Sequence, residues 1–469
     1  MATALLWLRR DLRLADNPAL VAAIQQGYDI IPVYLHAPNE EGRWQMGAAS
    51  RCWLHHSLLA LQQQLHTRHS QLFCVRSENS LHSLQQLIQE TQASAVFWNR
   101  LYEPALIARD TAIKQQLREQ GIHTESYNSA LLNEPWQVQN KSKQPYKVFT
   151  PYWKTCLNLP IAAPLPAPEQ IPLPKDLPLR TLTIAELNLL PRVHWDKGFY
   201  PAWEIGEVAA QRQLQAFGSR VIEYATQRDF PATTGVSRLS PYLHFGELSP
   251  QQVHAVVQNF APQAAHNVLS YQRQLYWREF AYHLLYHFPE TPQQALDVKF
   301  ERFPWQENPK ILQAWQQGET GVPIIDAGMR ELWQTGWMHN RVRMLVASWL
   351  TKNALISWQT GAGWFWETLL DADLANNTLG WQWVAGCGAD AAPYYRLFNP
   401  MLQSSKFDEA GAYIRHWLPE LKNLDKHSIH APWTAAYPPH NYPAPVLDFQ
   451  QSRERALAAY QQLKGINSL

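Results

Sequence analysis

Between residues 160 and 178 the chain carries Pro160, Pro164, Pro166, Pro168, Pro172, Pro174 and Pro178. No helix interior or central strand tolerates that density, because each ring fixes φ and removes a backbone donor. The stretch from Leu159 to Pro191 reads as a semi-rigid, mostly extended connector over the surface. It divides the 469 residues into two folded units. Before it, Leu5–Leu8, Ile30–Leu35, Leu72–Val75 and Ala95–Trp98 read as buried strands, while Ala48–Gln64 and Ser80–Gln92 carry leucine at helical spacing. That alternation predicts a parallel α/β sheet with right-handed crossovers. Neither the Gly-x-Gly-x-x-Gly pattern nor a P-loop is present, so the usual dinucleotide and NTP sites are not expected.

Beyond the connector the pattern is helical. Val208–Gln227, Pro250–Gln258, Ala264–His287, Pro309–Gln317, Ile324–Thr335 and Trp337–Ala354 repeat apolar residues at helical spacing, and a last helix is expected near Ala456–Leu463. The expected organisation is an α/β domain over 1–130, a connector over 131–202 and an all-α domain over 203–469. Hydrophobic residues at 46% against 17% charged allow large cores. The net charge of +1 announces no global affinity for nucleic acid, though it leaves a local basic face open. No apolar run is long enough to span a bilayer, and Ala2–Leu8 is too short for a signal segment and has Arg9 and Arg10 on the wrong side. Cys52, Cys74, Cys156 and Cys387 are scattered without a Cys-x-x-Cys, so a cytoplasmic protein without zinc, disulfide framework or iron cluster is expected. There are 21 tryptophans, eleven of them between Trp277 and Trp383. An ordinary core uses Leu, Ile and Val first, so the second domain has a particular use for indole.

Four segments there can carry chemistry. In Thr335–Met344, read as opening a helix, Trp337, Asn340 and Met344 share one face; Asn there is either a buried, satisfied amide or part of a ligand cavity. Gln274, Trp277 and Arg278 form a stripe offering an amide, a flat apolar surface and a cation, which suits a heteroaromatic ligand or an unstacked base but also a half-buried amphipathic helix. Asp371 and Asp373 precede Asn376-Asn377-Thr378 and Gly380, which read as a turn; with no further oxygen ligands nearby a metal is not expected, and Asp371 can pair with Arg343. In Gly235-Val-Ser-Arg-Leu-Ser-Pro241, Ser237 and Ser240 suit a pyrophosphate, or Ser240 is simply a helix cap. One flat ligand with a diphosphate would account for all four segments.

These residues carry a resemblance. Leu6-Trp-Leu-Arg-Arg-Asp-Leu-Arg-Leu-Ala-Asp-Asn17, Trp277-Arg-Glu-Phe280, Thr335-Gly-Trp-Met-His-Asn-Arg341, Asn377-Thr-Leu-Gly-Trp-Gln-Trp383 and Phe398-Asn-Pro400 resemble, in order and along nearly the whole chain, the photolyase/cryptochrome family. Within it the chain is most like bacterial class I and class III cyclobutane pyrimidine dimer photolyases. The resemblance implies a Rossmann-like parallel-sheet antenna domain and an all-α FAD-binding domain. By position, Tyr224, Val236, Ser237, Arg238, Leu239 and Ser240 would cradle the diphosphate and ribityl chain, with Val236 where Thr is frequent. Gln274, Trp277, Arg278 and Asn340 would lie on the flavin side, Asp371 with Arg343 and Asp373 at its two ends, and Asn377 facing flavin N5. Trp381, Trp358 and Trp305 would pass electrons inward from the surface, with Trp315, Trp349 and Trp366 easily confused with them.

Trp277 and Trp383 resemble the indoles that hold a flipped-out dimer, with Asn340 and Met344 lining the cavity, Gln274 where dimer-specific relatives carry Glu, and Arg228 and Arg341 contacting phosphate. The implied activity is light-driven repair of cyclobutane dimers in single- or double-stranded DNA by a monomer. The alternatives are a blue-light photoreceptor of the cryptochrome kind and a (6-4) photolyase, which would need a His pair where Asn340 and Met344 stand. For an antenna, methenyltetrahydrofolate is the first expectation and a deazaflavin or none the alternatives, since Ala105-Leu106 stands where folate-binding relatives place polar side chains.

Overall fold

The computed structural model describes residues 2–391 and 396–465. Strands β1 (Thr3–Leu8), β2 (Asp29–His36), β3 (Phe73–Arg76), β4 (Ala95–Asn99) and β5 (His123–Tyr127) pair in parallel in the order β3-β2-β1-β4-β5. Helices α1 (Pro18–Gln25), α2 (Ala48–Thr67), α3 (Ser80–Thr91) and α4 (Pro104–Glu119) make the crossovers. β5 escaped the sequence reading because it is a polar edge strand. Along β1 the side chains alternate: Leu6 and Leu8 enter one core, Leu5 and Trp7 another on the opposite face, as the period of two dictates.

The connector carries α5 (Phe149–Cys156) and otherwise holds only single 3-10 turns, at Pro135–Gln137, Ala185–Leu187 and Trp195–Gly198, before α6 (Phe199–Ala202). It is extended, as its prolines require, but fastened to the sheet domain: the Leu165 amide donates to Asp16 Oδ1 at 2.9 Å, the Ile30 amide to the Pro172 carbonyl at 2.6 Å, and Leu182 bridges Cys74.

The second domain comprises α6 (Phe199–Ala202), α7 (Glu207–Gly218), α8 (Tyr224–Gln227), α9 (Ser240–His244), α10 (Pro250–Gln258), α11 (Ala261–His287), α12 (Pro309–Gln317), α13 (Pro323–Thr335), α14 (Asn340–Ser348), α15 (Trp358–Thr368), α16 (Leu374–Ala385), α17 (Pro400–Phe407), α18 (Ala412–Trp417) and α19 (Phe449–Gly465). Three sequence expectations fail here, the first being the single helix expected over Val208–Gln227, which ends at Gly218 and is followed by a 3-10 turn at Val221–Glu223 and by α8. The helix expected from Trp337 starts at Asn340: Gly336, at φ 66°, ends α13, and His339 caps α14 by accepting the Arg341 amide on Nδ1 at 3.2 Å. Trp337 therefore precedes the helix and does not share the face of Asn340 and Met344. The turn expected at Asn376–Gly380 is helical, because Asp373 caps α16 through the Asn376 amide at 2.8 Å and the flanking Leu374, Ala375 and Trp381 are buried.

Two cores meet beneath the second domain. The first runs from Leu6 and Trp53 through Phe149 and Tyr152 to Tyr224, Leu239, Tyr271 and Trp337. The second gathers α13, α14, α15 and α16 around Trp315, Trp349, Trp358 and Trp381. The domains are bolted together by buried polar contacts. Arg13 donates to the carbonyls of Gly246 (2.8 Å) and Ser129 (2.9 Å). Glu207 accepts the Leu14 and Ala15 amides, and Glu247 accepts Trp53 Nε1 at 3.0 Å and Ser57 Oγ at 2.6 Å.

Candidate functional site

The segment before α9 is shaped by tight packing. A Cβ on Gly235 would run into the Gln227 backbone, and Arg238 holds a left-handed φ of 55°. Its guanidinium lies over the rings of Trp203 (4.2 Å) and Trp337 (5.1 Å), and its buried Nε has no partner. Ser240 Oγ accepts Trp337 Nε1 at 3.2 Å, and Ser237 meets the Tyr271 hydroxyl. Tyr224 stands edge-on to Tyr271 at 5.0 Å, Leu239 is buried in the first core and Val236 packs against it.

Asp371 and Asp373 occupy the turn before α16 and are held differently. Asp371 Oδ2 accepts Arg343 Nη2 at 2.9 Å, while its buried Oδ1 has no partner. Arg343 also donates Nε to the Met338 carbonyl at 2.7 Å, which fixes the pair against the start of α14. Asp373 is saturated by Asn376, the Tyr282 hydroxyl and His244, whose Nδ1 lies 3.5 Å away at the outer limit of hydrogen bonding. Burial alone would raise its carboxyl, but His244, Arg278 and Tyr282 hold it well below the ordinary range. Asn377 donates to the Ala362 carbonyl at 3.0 Å, tying α16 to α15. Arg278 donates to the Ala130 carbonyl at 2.7 Å, so it joins helix to connector as well as facing Asp373.

Around the mouth, Asn340 and Met344 lie one turn apart on α14, Nδ2 to Sδ 3.9 Å. Trp277, on α11, packs on the first core; Met344 and Trp383, on α14 and α16, pack on the second. Gln274 Oε1 accepts Arg228 Nη2 at 3.4 Å. Asp229 joins the two candidate phosphate contacts, 2.7 Å from Arg341 and 3.9 Å from Arg228. His339 is sealed inward: burial, with Arg341 and Arg343 nearby, pushes its imidazole down to about 4.

Trp381 and Trp358 are buried in the second core, and Trp305 is half-buried at its edge, its ring 4.4 Å from Phe303. Gly361, one turn after Trp358, lies under the Trp381 ring, and a Cβ there would collide with it. The Gln306 amide donates to the Leu355 carbonyl at 2.8 Å, which brings Trp305 beside the approach to Trp358. Trp315 also meets Trp381, edge-on at 6.2 Å, and Trp366 donates Nε1 to the Gln45 carbonyl.

The sequence reading missed His244 and Tyr282, which complete Asp373. It also missed the role of Trp337 as donor to Ser240, and Phe149, whose ring lies flat on Trp277. Trp337 lies in a quoted motif that does not reveal this bond, and His244, Tyr282 and Phe149 stand in none; only long-range packing marks these roles. Among the described residues no His/Cys/Asp/Glu cluster suits a metal, and no helix is long and apolar enough to cross a membrane.

A separate cleft of about 60 Å³ lies at the carboxyl ends of β1, β2 and β4, where open parallel sheets bind ligands. Trp7, Arg9, Tyr34, His36, Glu41 and Arg51 are among its lining residues. Arg9 and Arg109 both lie over the Trp7 ring, at 4.3 and 4.8 Å, and burial pushes the Glu41 carboxyl up.

Among these residues, Arg238 has an unpartnered guanidinium nitrogen beside the serine hydroxyls before α9, and the Arg343–Asp371 pair leaves one carboxylate oxygen free. That donor and acceptor set fits a flavin dinucleotide, a diphosphate joined to a flat heterocycle with hydrogen-bonding edges. The chain matches the DNA photolyase family over residues 4–169 and the FAD binding domain of DNA photolyase over residues 271–462. It is 43% identical to deoxyribodipyrimidine photo-lyase of Agrobacterium fabrum, covering 99% of this chain and 98% of that one. It is 37% identical to cryptochrome-2 of Arabidopsis thaliana, covering 96% of this chain and 77% of the other. The structure superposes on a bacterial class III photolyase from Agrobacterium tumefaciens with TM-score 0.96 at 42% identity, covering 99% and 98% of the two chains. The chain belongs to the DNA photolyase family. Its enzyme class is that of the photolyases, carbon–carbon lyases that use FAD and act on damaged DNA.

Proposed function

We propose that this chain repairs cyclobutane pyrimidine dimers, in single- or double-stranded DNA and as a monomer, by light-driven electron transfer to a dimer flipped into the cavity. Bound, reduced FAD would supply the electron that opens the cyclobutane ring and take it back afterwards. The protein's part is to bind, orient and exclude. Trp277 and Trp383 offer flat surfaces to an extruded dimer, and stacking of this kind compensates the cost of flipping, which is least for a damaged pair. Asn340 supplies an amide to a base edge and Met344 an adaptable apolar wall. Arg228 and Arg341 hold flanking phosphates, a positional and salt-dependent contribution. Trp381, Trp358 and Trp305 restore the reduced cofactor by passing electrons inward.

The observation that carries the cyclobutane reading is the α14 face. It presents Asn340 and Met344 where a (6-4) enzyme needs protonatable histidines, and the neighbouring His339 is a neutral, buried helix cap. The photoreceptor reading draws on the likeness to cryptochrome-2. Both are tested by illuminating anaerobically reduced, FAD-loaded protein with single-stranded DNA carrying one thymine dimer, and following the return of thymine absorbance against a dark control. Light-dependent turnover is expected. Failure there with turnover on a (6-4) lesion would reassign the substrate, and failure on both would leave the photoreceptor.

The cleft at the sheet's carboxyl edge is the proposed antenna site. Its cationic rim over Trp7 suits a flat conjugated ring with an anionic tail, and methenyltetrahydrofolate comes first, before a deazaflavin. Mass spectrometry of chromophores released from the purified protein would distinguish folate, deazaflavin and none.

A further inference from the structure

We infer that Phe149, which lies in the connector outside every recognised motif, is a positioning residue for lesion recognition: it fixes the plane of Trp277 so that the indole offers its other face to an extruded base. This rests on the reading of Trp277 as a wall of the lesion cavity.

Phe149 opens α5 and is fully buried. Its ring centroid lies 3.7 Å from that of Trp277 with the planes 6° apart. Phe280 meets the same indole edge-on at 5.9 Å and 74°. One face and one edge of Trp277 are thereby covered, and the residue remains partly exposed. Phe149 is itself backed. Trp153, one turn along α5, lies parallel to it within 5° at 6.3 Å, and Phe280 closes its side at 5.8 Å. Arg273, one turn before Trp277 on α11, spans the column with its guanidinium 5.3 Å from the Phe149 ring and 4.9 Å from Trp153. The connector is fastened to α11 by the Tyr146 amide on His283 Nε2 (3.0 Å) and by the Asn133 amide on Glu279 (3.0 Å).

Aromatic pairs gain most when offset or edge-on, with centroids about 4.5–7 Å apart. A nearly superposed pair at 3.7 Å works less as an attraction than as a flat stop. An indole with neither face held would have to be immobilised when a base stacks on it, at a cost of about 0.5–1.5 kcal/mol for such a side chain. Held beforehand by Phe149, Trp277 avoids that cost at the moment of binding.

The test compares wild type, Phe149→Leu, Trp277→Ala and the double variant as FAD-loaded proteins. Dissociation constants are measured for single-stranded DNA with and without one thymine dimer, together with repair per absorbed photon in saturated complexes. Phe149→Leu keeps bulk but loses the flat face, and should weaken dimer binding by about two- to tenfold, the effect of the ordering cost above. Binding of undamaged DNA and repair in the saturated complex should stay at the wild-type level. In the Trp277→Ala background the leucine should have no further effect on dimer affinity, whereas a general structural role would add in both backgrounds. Should leucine at 149 cost the flavin, Trp153→Leu removes the backing ring instead, with about a twofold loss expected. Unchanged dimer affinity in Phe149→Leu, or an equal loss with and without Trp277, overturns the inference and leaves the cavity reading intact. Unchanged dimer affinity in Trp277→Ala overturns the cavity reading and the inference with it.

Discussion

The two walls of the cavity belong to different cores. The wall carrying Tyr224, Leu239, Trp277 and Trp337 is continuous with the sheet and the connector. The wall carrying Met344, Trp383, Trp381 and Trp358 is continuous with the helices that reach the surface at Trp305. Each wall thus has its own support and its own role. On the proposed function, the first would hold the phosphate end and one stacking surface, the second the electron route and the other stacking surface. Polar pairs cross the seam, Asp373 with His244 and Asp229 with Arg341, and Leu379 packs on both cores. A ligand bound on the seam touches both supports, so damage to one wall should leave the role of the other intact.

The sharpest test of that division is Trp381→Phe. It should abolish photoreduction of oxidised FAD while sparing FAD content and repair by chemically reduced protein, measured by flavin absorbance under light and by dimer repair. Loss of both would mean the walls are not separable. Next comes Gly361→Ala, whose methyl must displace the Trp381 ring. Overpacking of this kind costs about 1–3 kcal/mol, so a lower Tm and slower photoreduction are expected, with dimer affinity retained after chemical reduction.

A pH effect belongs to the seam itself. Because the His339 imidazole is held at about 4 against an ordinary 6.5, its contribution is complete above 6.5 and is lost as pH falls toward 4. The difference in unfolding free energy between wild type and His339→Asn, which keeps a cap acceptor, should change by roughly 1 kcal/mol per pH unit across that window and be flat above it. The smallest effect is expected from Asp229→Asn. Freeing Arg228 and Arg341 should tighten DNA binding two- to threefold at low salt and steepen its salt dependence by up to about one phosphate contact.

The parts of this organisation that follow from local chemistry were legible in the sequence. The prolines between 160 and 178 demanded an extended connector, the strands β1 to β4 announced themselves as apolar runs, and α10 and α12 match the expected ranges residue for residue. Where local rules competed, reading failed. Asn376, Asn377 and Gly380 favour a turn on their own, yet a capping carboxylate and buried neighbours make them helix. Gly336 and His339 interrupt a periodicity that otherwise runs from Trp337 onward. Partnerships formed across long stretches of chain were illegible: His244 with Asp373, Trp53 with Glu247, Phe149 with Trp277. Nothing in the immediate neighbourhood of Phe149 distinguishes it from any other aromatic residue filling a core.

The bolts between the domains bear on modularity. Glu247 has no exposed surface, and burial holds its carboxyl up at about 8; Trp53 and Ser57, its hydrogen-bonding side-chain partners, come from the other domain. A helical half expressed alone would present that carboxyl, the Gly246 carbonyl and one side of the first core to water. Grafting this half onto a different light-gathering half would therefore require α2, the Arg13 segment and α5 to travel with it, so the unit of exchange is larger than the domain.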